Sequence, residues 1–142
     1  MGNVINDFHG EYRFLSNFWN HPVTYDGATY PNNEAAFQAA KCADPAQKKM
    51  FQAMDPSSAK RAGRRVRLRP DWESVKVGIM EGIVRAKFAP GTELAEKLLA
   101  TGDAELVEGN AWNDTFWGVC RGRGRNELGK ILMKVRNELK NA

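Results

Sequence analysis

Glu34, Phe37, Gln38 and Lys41 fall at i, i+3, i+4 and i+7 within Tyr30-Pro31-Asn32-Asn33-Glu34-Ala35-Ala36-Phe37-Gln38-Ala39-Ala40-Lys41. On a helix that spacing places an acid, a ring, an amide and a base on one face. Pro31 cannot continue a strand, and the two asparagines after it are good helix caps, so a helix is expected to begin near Asn33. A second carboxylate, Asp114, stands among the rings of Ala111-Trp112-Asn113-Asp114-Thr115-Phe116-Trp117-Gly118. Carboxylates in aromatic settings, a helix-borne amine and arginine-rich loops suit the cleavage of a sugar–nitrogen bond. The transition state is oxocarbenium-like, so a carboxylate can stabilise its positive charge or activate water. Lys41 could instead attack a ring-opened sugar if its pKa is lowered. The same kit would serve a nucleotide-binding module without chemistry, and a Glu34/Lys41 pair two turns apart could be a plain surface feature.

These residues need elements to hold them. Val23-Thr24-Tyr25 and Ala28-Thr29-Tyr30 flank Asp26-Gly27, a strong hairpin signal, so a small antiparallel sheet is expected near the N-terminus. Ahead of it, Arg13-Phe14-Leu15-Ser16-Asn17-Phe18 sets a base and two hydrogen-bonding side chains among rings, which could grip a planar base or ribose. The competing reading makes Phe14 and Phe18 core and Ser16-Asn17 a turn. Asp44-Pro45 and Asp55-Pro56 open helices over 45–54 and 56–64. Arg61 to Arg69 then holds five arginines around Gly63, a phosphate-binding edge or a solvated basic strand.

The longest helix is capped at Asp71 and runs to about Phe88, with Trp72, Val75, Ile79, Ile83 and Ala86 as its apolar stripe and Lys76 beside it. A helix over Leu94 to Ala100 follows, then a short strand into a loop across Leu106 to Asn110. Arg121-Gly122-Arg123-Gly124-Arg125-Asn126 feeds a last helix with Leu128, Ile131, Leu132, Val135 and Leu139 inward. A glycine-rich basic loop at a helix N-terminus is a candidate anion site. Neither a Walker lysine–serine pair nor a strand–GxGxxG–helix unit occurs, which excludes the standard P-loop and Rossmann readings.

The chain has 142 residues, 42% hydrophobic and 27% charged, which suits one domain, 1–142, with its own core. The net charge of +4 suggests an anionic partner such as a phosphate, a nucleotide or nucleic acid. Cys42 and Cys120 form no CxxC motif, which argues against a disulfide framework or a zinc site. Met1 to Asn6 lacks a basic region followed by an apolar run, and no window is long enough to span a membrane; a soluble cytoplasmic protein is expected. Oligomeric state is not readable from the sequence.

An ordered set of segments carries a resemblance. Ser16-Asn17-Phe18, Tyr30-Pro31 with Glu34, Phe37-Gln38-Ala39 through Lys41, and Gly63-Arg64 come first. Trp72-Glu73-Ser74-Val75-Lys76, Ala86-Lys87-Phe88, Leu106-Val107-Glu108, Asp114 before Phe116-Trp117-Gly118, and Gly122 to Gly124 with Asn126, Leu128-Gly129 and Leu132-Met133 follow. Together they resemble the NADAR, or YbiA-like, family of N-glycosidases over nearly the whole chain. The resemblance implies a mostly helical α+β single domain with a small antiparallel sheet, cleaving N-glycosidic bonds of ribosides. The implied substrates are phosphoribosylamino-pyrimidine intermediates of riboflavin synthesis, or ADP-ribosylated guanine in nucleic acid, with no metal and no cofactor.

Carried over by residue, the resemblance implies Glu34, Lys41 and Asp114 as catalytic. It implies Trp72 with Lys76 and Trp117 with Gly118 as substrate-binding, joined by Arg13, Ser16, Asn17, Phe18, Gln38, Arg64 and Asn126. This chain departs from the family where Asn33, Ala35 and Ala36 replace the usual Ser, His and Tyr, which is expected to widen the pocket beside Glu34. A non-catalytic ADP-ribose-binding module, or nucleic-acid binding through the arginine-rich segments, are the rival functions.

Overall fold

A computed structural model describes residues 3–142. The fold is α+β and mostly helical. Its chain divides into two units, Asn17–Lys87 and a second one that joins Phe88–Ala142 to the stretch ending at Ser16.

In the Asn17–Lys87 unit the expected hairpin forms. Strand β2 (Asn20–Tyr25) pairs antiparallel with β3 (Ala28–Asn32), with Val23 opposite Tyr30 and Thr24 opposite Thr29. Asp26 and Gly27 supply the two positive φ values, 52° and 83°, that the tight turn requires. The chain leaves β3 directly into α1 (Asn33–Ala40). α2 (Pro45–Met50), capped by the Asp44 side chain, and α3 (Pro56–Ala62) follow, each with proline in its first turn. The helix expected over 45–54 stops at Met50 and tightens into a 3-10 turn at Phe51–Ala53, which buries Phe51 completely.

α4 (Trp72–Lys87) packs against α1 and β2. Its buried stripe is Trp72, Ile79, Met80, Ile83, Val84 and Lys87. This corrects the expected stripe at two places: Ala86 is exposed and Val75 only half-buried, while Lys87 is 3% exposed. The 79/80, 83/84, 87 spacing follows the helical period better than the choice that hydropathy favours, because a lysine stem is long and apolar.

In the other unit the strands are two residues long. β1 (Val4–Ile5) pairs parallel with β4 (Glu105–Leu106), and β5 (Gly109–Asn110) pairs parallel with β6 (Val119–Cys120). Where a short strand into a loop is expected across Leu106 to Asn110, the chain forms the end of β4 and then β5, with different partners. Parallel pairs join segments far apart in sequence, which local pattern cannot reveal. α5 (Glu93–Ala100), capped by Thr92, packs on α6 (Glu127–Lys140), which also covers β4. Leu128, Ile131, Leu132 and Val135 are buried as expected, and the buried Arg136 donates to Thr101 Oγ1 at 2.9 Å. Among the described residues no helix is long and apolar enough to cross a membrane.

Two substitutions test this packing. Asn32 is fully buried, accepts from Ala35 N at 2.8 Å and donates to the Met54 carbonyl at 3.1 Å. Asn32→Ala loses a helix cap and leaves a carbonyl without its partner, so a loss of about 2 kcal/mol is expected in denaturant unfolding. A loss below the error of the measurement would show that the cap does not hold α1.

Burial of Lys87 lowers its pKa from 10.5 to about 7. Between those values the unfolded chain binds a proton that the folded chain does not, so this residue makes stability rise with pH across that window. Below pH 7 both states are charged and the full cost of burying the ammonium is present. Lys87→Met should therefore raise Tm most at pH 6, with the gain shrinking towards pH 10. Parallel Tm profiles for the two proteins would refute this reading of Lys87.

Candidate active site

The reacting face is set by how α1 begins. Asn32 has an extended backbone, φ −162°, and its side chain caps the helix; the Glu34 N–H, the next donor needing a partner, is taken by the Asn17 carbonyl at 3.1 Å. Asn17 is itself buried, accepting from Asn33 Nδ2 at 3.3 Å while its own Nδ2 lies 3.5 Å from the Met80 sulfur. Asn17 therefore braces the start of α1 against α4. Its neighbour Phe18 is 40% exposed with the Lys60 ammonium 5.8 Å over its ring.

From that start the predicted face forms. Gln38 Nε2 donates to Glu34 Oε2 at 2.7 Å, one helical turn apart. A carboxylate only accepts, so this bond fixes the amide with Nε2 towards Glu34 and Oε1 away from it. Gln38 Oε1 is buried, has no hydrogen-bond partner among the described residues and lies against Gly63. A Cβ at Gly63 would overlap that oxygen, so only glycine leaves room for the amide. The Gly63 carbonyl in turn faces Lys41, whose Nζ approaches it at 3.4 Å.

Lys41 ends α1 beside Trp72. Its Nζ lies 6.0 Å from the indole centroid, and the indole packs on Phe37 with centroids 5.0 Å apart. Burial pushes the Lys41 pKa down, and the nearby charges of Arg64 and Lys76 add to that; the Glu34 carboxylate opposes it. Lys76 is also held by Glu73, at 2.7 Å. One carboxylate, one amide, an indole and the cations Lys41, Arg64 and Lys76 thus share one neighbourhood. Such a set can hold an anionic substrate and place a carboxylate at its reacting carbon.

Ala35 and Ala36 are 0% and 1% exposed, and Ala36 lines a cleft about 200° round the helix from Glu34.

The remaining candidates belong to the other unit. Asp114 Oδ1 accepts from the backbone N–H groups of Phe116 at 3.1 Å and Trp117 at 2.9 Å, and the Asn110 amide grips the Asp114 main chain on both sides. Asp114 thereby shapes the turn that presents Trp117, whose ring meets Phe116 edge-on at 4.8 Å. Gly118 is buried where a Cβ would overlap Glu108. Asn126 adopts a left-handed backbone, φ 55°, and its side chain ties β4 to the following loop, accepting from Glu108 N and donating to the Leu106 carbonyl, both at 2.9 Å.

The anion site expected at the start of α6 is absent. The Glu127 and Leu128 N–H groups are taken by the carbonyls of Phe116 and Trp117 at 3.1 and 3.0 Å. Arg13 Nη1 reaches the Gly10 carbonyl at 3.4 Å, and Ser16 ends the 3-10 turn Gly10–Leu15. Among the described residues no group of three or more His, Cys, Asp or Glu could hold a metal ion. Sequence reasoning missed Gly63 as a positioning element. The Gly63-Arg64 pair was visible, but its contact with Gln38 spans loops.

Comparison with known proteins identifies the family. The family model described as "NADAR domain" matches residues 6–140. The chain is 41% identical over 133 residues to the protein named N-glycosidase YbiA of Escherichia coli, covering 91% of this chain and 82% of that one. It is 36% identical to an N-glycosidase of Nostoc punctiforme, covering 92% and 87%. A riboflavin biosynthesis protein of Vibrio vulnificus is 45% identical over 130 residues, which are 89% of this chain but only 35% of that protein. Among solved structures, the NMR structure of Escherichia coli YbiA matches with a TM-score of 0.87 and 39% identity, over 99% of this chain and 88% of that one. By its sequence match and its fold, the chain belongs to the NADAR domain family.

Proposed function

We propose that the Glu34–Gln38–Lys41 face of α1, with Trp72, Arg64 and Lys76 around it, is the reacting wall of an N-glycosidase. The enzyme is a hydrolase acting on N-glycosyl compounds, in line with its similarity to proteins named N-glycosidase. The observation that carries the residue assignment is the Glu34–Gln38 bond backed by Gly63, which holds a carboxylate in place near Lys41, itself within the influence of Arg64 and Lys76. Residues 1–142 are read as one domain of the family, supported by the continuous match over 6–140.

In this reading the cations take the phosphate of a riboside and Trp72 takes its base or ribose face. As the C1′–N bond breaks, its electron pair leaves with the base nitrogen, and the Glu34 carboxylate stabilises the cationic sugar carbon. Water then forms the new C1′–O bond. Its proton passes through the carboxylate to the leaving base, so the enzyme ends unchanged.

Lys41 supports a second route. An amine whose pKa is lowered by burial has a larger neutral fraction and could add to the ring-opened sugar as a Schiff base. The substrate is proposed as a phosphoribosylamino-pyrimidine of riboflavin synthesis, supported by the name of the Vibrio relative, or as ADP-ribosylated guanine. Asp114 is proposed as a further carboxylate for the reaction.

A mass-spectrometric assay of both substrate classes side by side should show base release by the wild type from at least one. Glu34→Gln should lower that turnover about 100-fold or more, since it keeps the shape and removes the charge. Lys41→Ala should lower it as well, and borohydride should trap an adduct only if the amine route operates. Asp114→Asn keeps an oxygen acceptor for the Phe116 and Trp117 amides, so a drop in rate with unchanged melting isolates the charge. Wild-type rates in all three variants would defeat the assignment.

Gly63→Ala gives a separate check. The added methyl must displace the Gln38 amide and so release Glu34. A fall in kcat of about tenfold with a folded protein is expected, on the scale of a mispositioned catalytic group. An unchanged kcat would mean that Gln38 does not position the carboxylate.

A further inference from the structure

On the side of α1 away from Glu34 the Asn17–Lys87 unit holds a cleft of about 520 Å³. Ala36 and Ala40 form part of its floor; each lies two positions after Glu34 or Gln38, which is about 200° round the helix. Val75 and Ile79 of α4 complete an apolar base. The size is within the range of small-molecule sites, which pair an apolar floor with a few placed polar groups.

Those polar groups are unevenly distributed. Tyr25 and Tyr30 of the hairpin form one wall, and neither hydroxyl has a hydrogen-bond partner among the described residues. The Tyr25 ring lies directly on α4 at Gly82, where a Cβ would come within 3.0 Å of the ring. Lys48 and Lys49, in the last turn of α2, line the cleft and make no ion pair among the described residues. Arg69 joins them, anchored by Asp71 at 2.6 and 3.0 Å and by the Ala40 carbonyl at 3.5 Å. Asp71 offsets much of the Arg69 charge, so the two lysines carry the field. Asp26 is the one acid at the cleft, on the hairpin turn, and it disfavours an anion at that end.

We propose that this cleft is a second ligand site, separate from the Glu34 face, for a phosphate monoester carried on an aromatic base. The ring lies along the apolar floor against the tyrosines, and the phosphate meets Lys48 and Lys49. Two sources share that chemistry: a free mononucleotide, and the 5′-terminal nucleotide of a nucleic-acid strand. The site stands apart from the N-glycosidase reading, since none of its lining residues belongs to the Glu34 face.

The test uses the full chain, isotope-labelled for NMR, with 5′-GMP, guanosine and inorganic phosphate as separate probes. 5′-GMP should bind saturably and shift the resonances of Tyr25, Ala40 and Ile79, while guanosine or phosphate alone binds at least tenfold more weakly. Lys48→Glu/Lys49→Glu should weaken 5′-GMP at least tenfold, yet leave turnover at the Glu34 face unchanged. Ala36→Phe, which fills the floor, should block the same shifts. A 5′-phosphorylated single strand that binds more tightly than 5′-GMP and more tightly than its unphosphorylated form assigns the site to a strand end. Weaker or equal strand binding assigns it to the free nucleotide. Shifts confined to Glu34, Gln38 and Lys41, no saturable binding, or an unchanged affinity in the double variant would each overturn the proposal. Each overturning outcome is read from binding alone and does not depend on base release.

Discussion

The start of α1 is the constraint on which the candidate site rests. A helix that follows a strand without a loop must satisfy its first N–H groups at once, and here the side chain of one buried asparagine and the main-chain carbonyl of another do so. Asn32 serves Ala35, and the Asn17 carbonyl serves Glu34. Because Asn32 also holds the Met54 carbonyl, the cap joins the helix start to the 3-10 turn after α2. The direction of α1, and with it the positions of Glu34, Gln38 and Lys41, follows from these buried polar contacts more than from helix propensity, since eight residues form a marginal helix alone.

The electrostatics of that face come from competing effects that can be ranked. Burial lowers the Lys41 pKa most, and the Glu34 carboxylate is the largest influence acting against it. The helix C-terminus also favours a cation at that position. Arg64 and Lys76 then push the amine back towards its neutral form. An amine under such opposed influences is sensitive to its company: an anion bound among the three cations would favour the ammonium, and its departure would favour the free amine. At Lys87 burial lowers the pKa further, to about 7.

Much of this was legible in the sequence where the cause is local. The 3.6-residue period exposed the Glu34, Gln38 and Lys41 face, and Asp26-Gly27 announced the hairpin because few other pairs tolerate its backbone. What escaped has distant causes. The N–H groups that start α6 looked available, but carbonyls from the preceding loop at Phe116 and Trp117 occupy them. The two-residue strands at Glu105–Leu106 and Gly109–Asn110 carry too little pattern to be seen without their partners. Lys87 completes the α4 stripe where hydropathy favours Ala86, because its stem is long and apolar. Gly63 stood among five arginines of a candidate phosphate-binding edge, and its packing role is visible only once Gln38 lies on it.

The alanines of α1 show how the helix limits its own variation. Ala35, Ala36, Ala39 and Ala40 are between 0% and 8% exposed, so elements close in on most of the circumference. α3 and α4 lie against α1, as do both strands of the hairpin. Close-packed neighbours tolerate little added volume, since overpacking a core costs about 1–3 kcal/mol. Among the described residues, the half-buried edge with Glu34 and Lys41 and the cleft floored by Ala36 and Ala40 leave space beside the helix. On the proposed reading of the site, substrate preference would change most readily through Arg64 after α3 and Lys76 on α4, and least through α1 itself. A larger residue is accommodated at 36 because a cleft lies there. The same residue at 35 would have to move the neighbouring elements, which makes the two adjacent alanines unequal in what they permit.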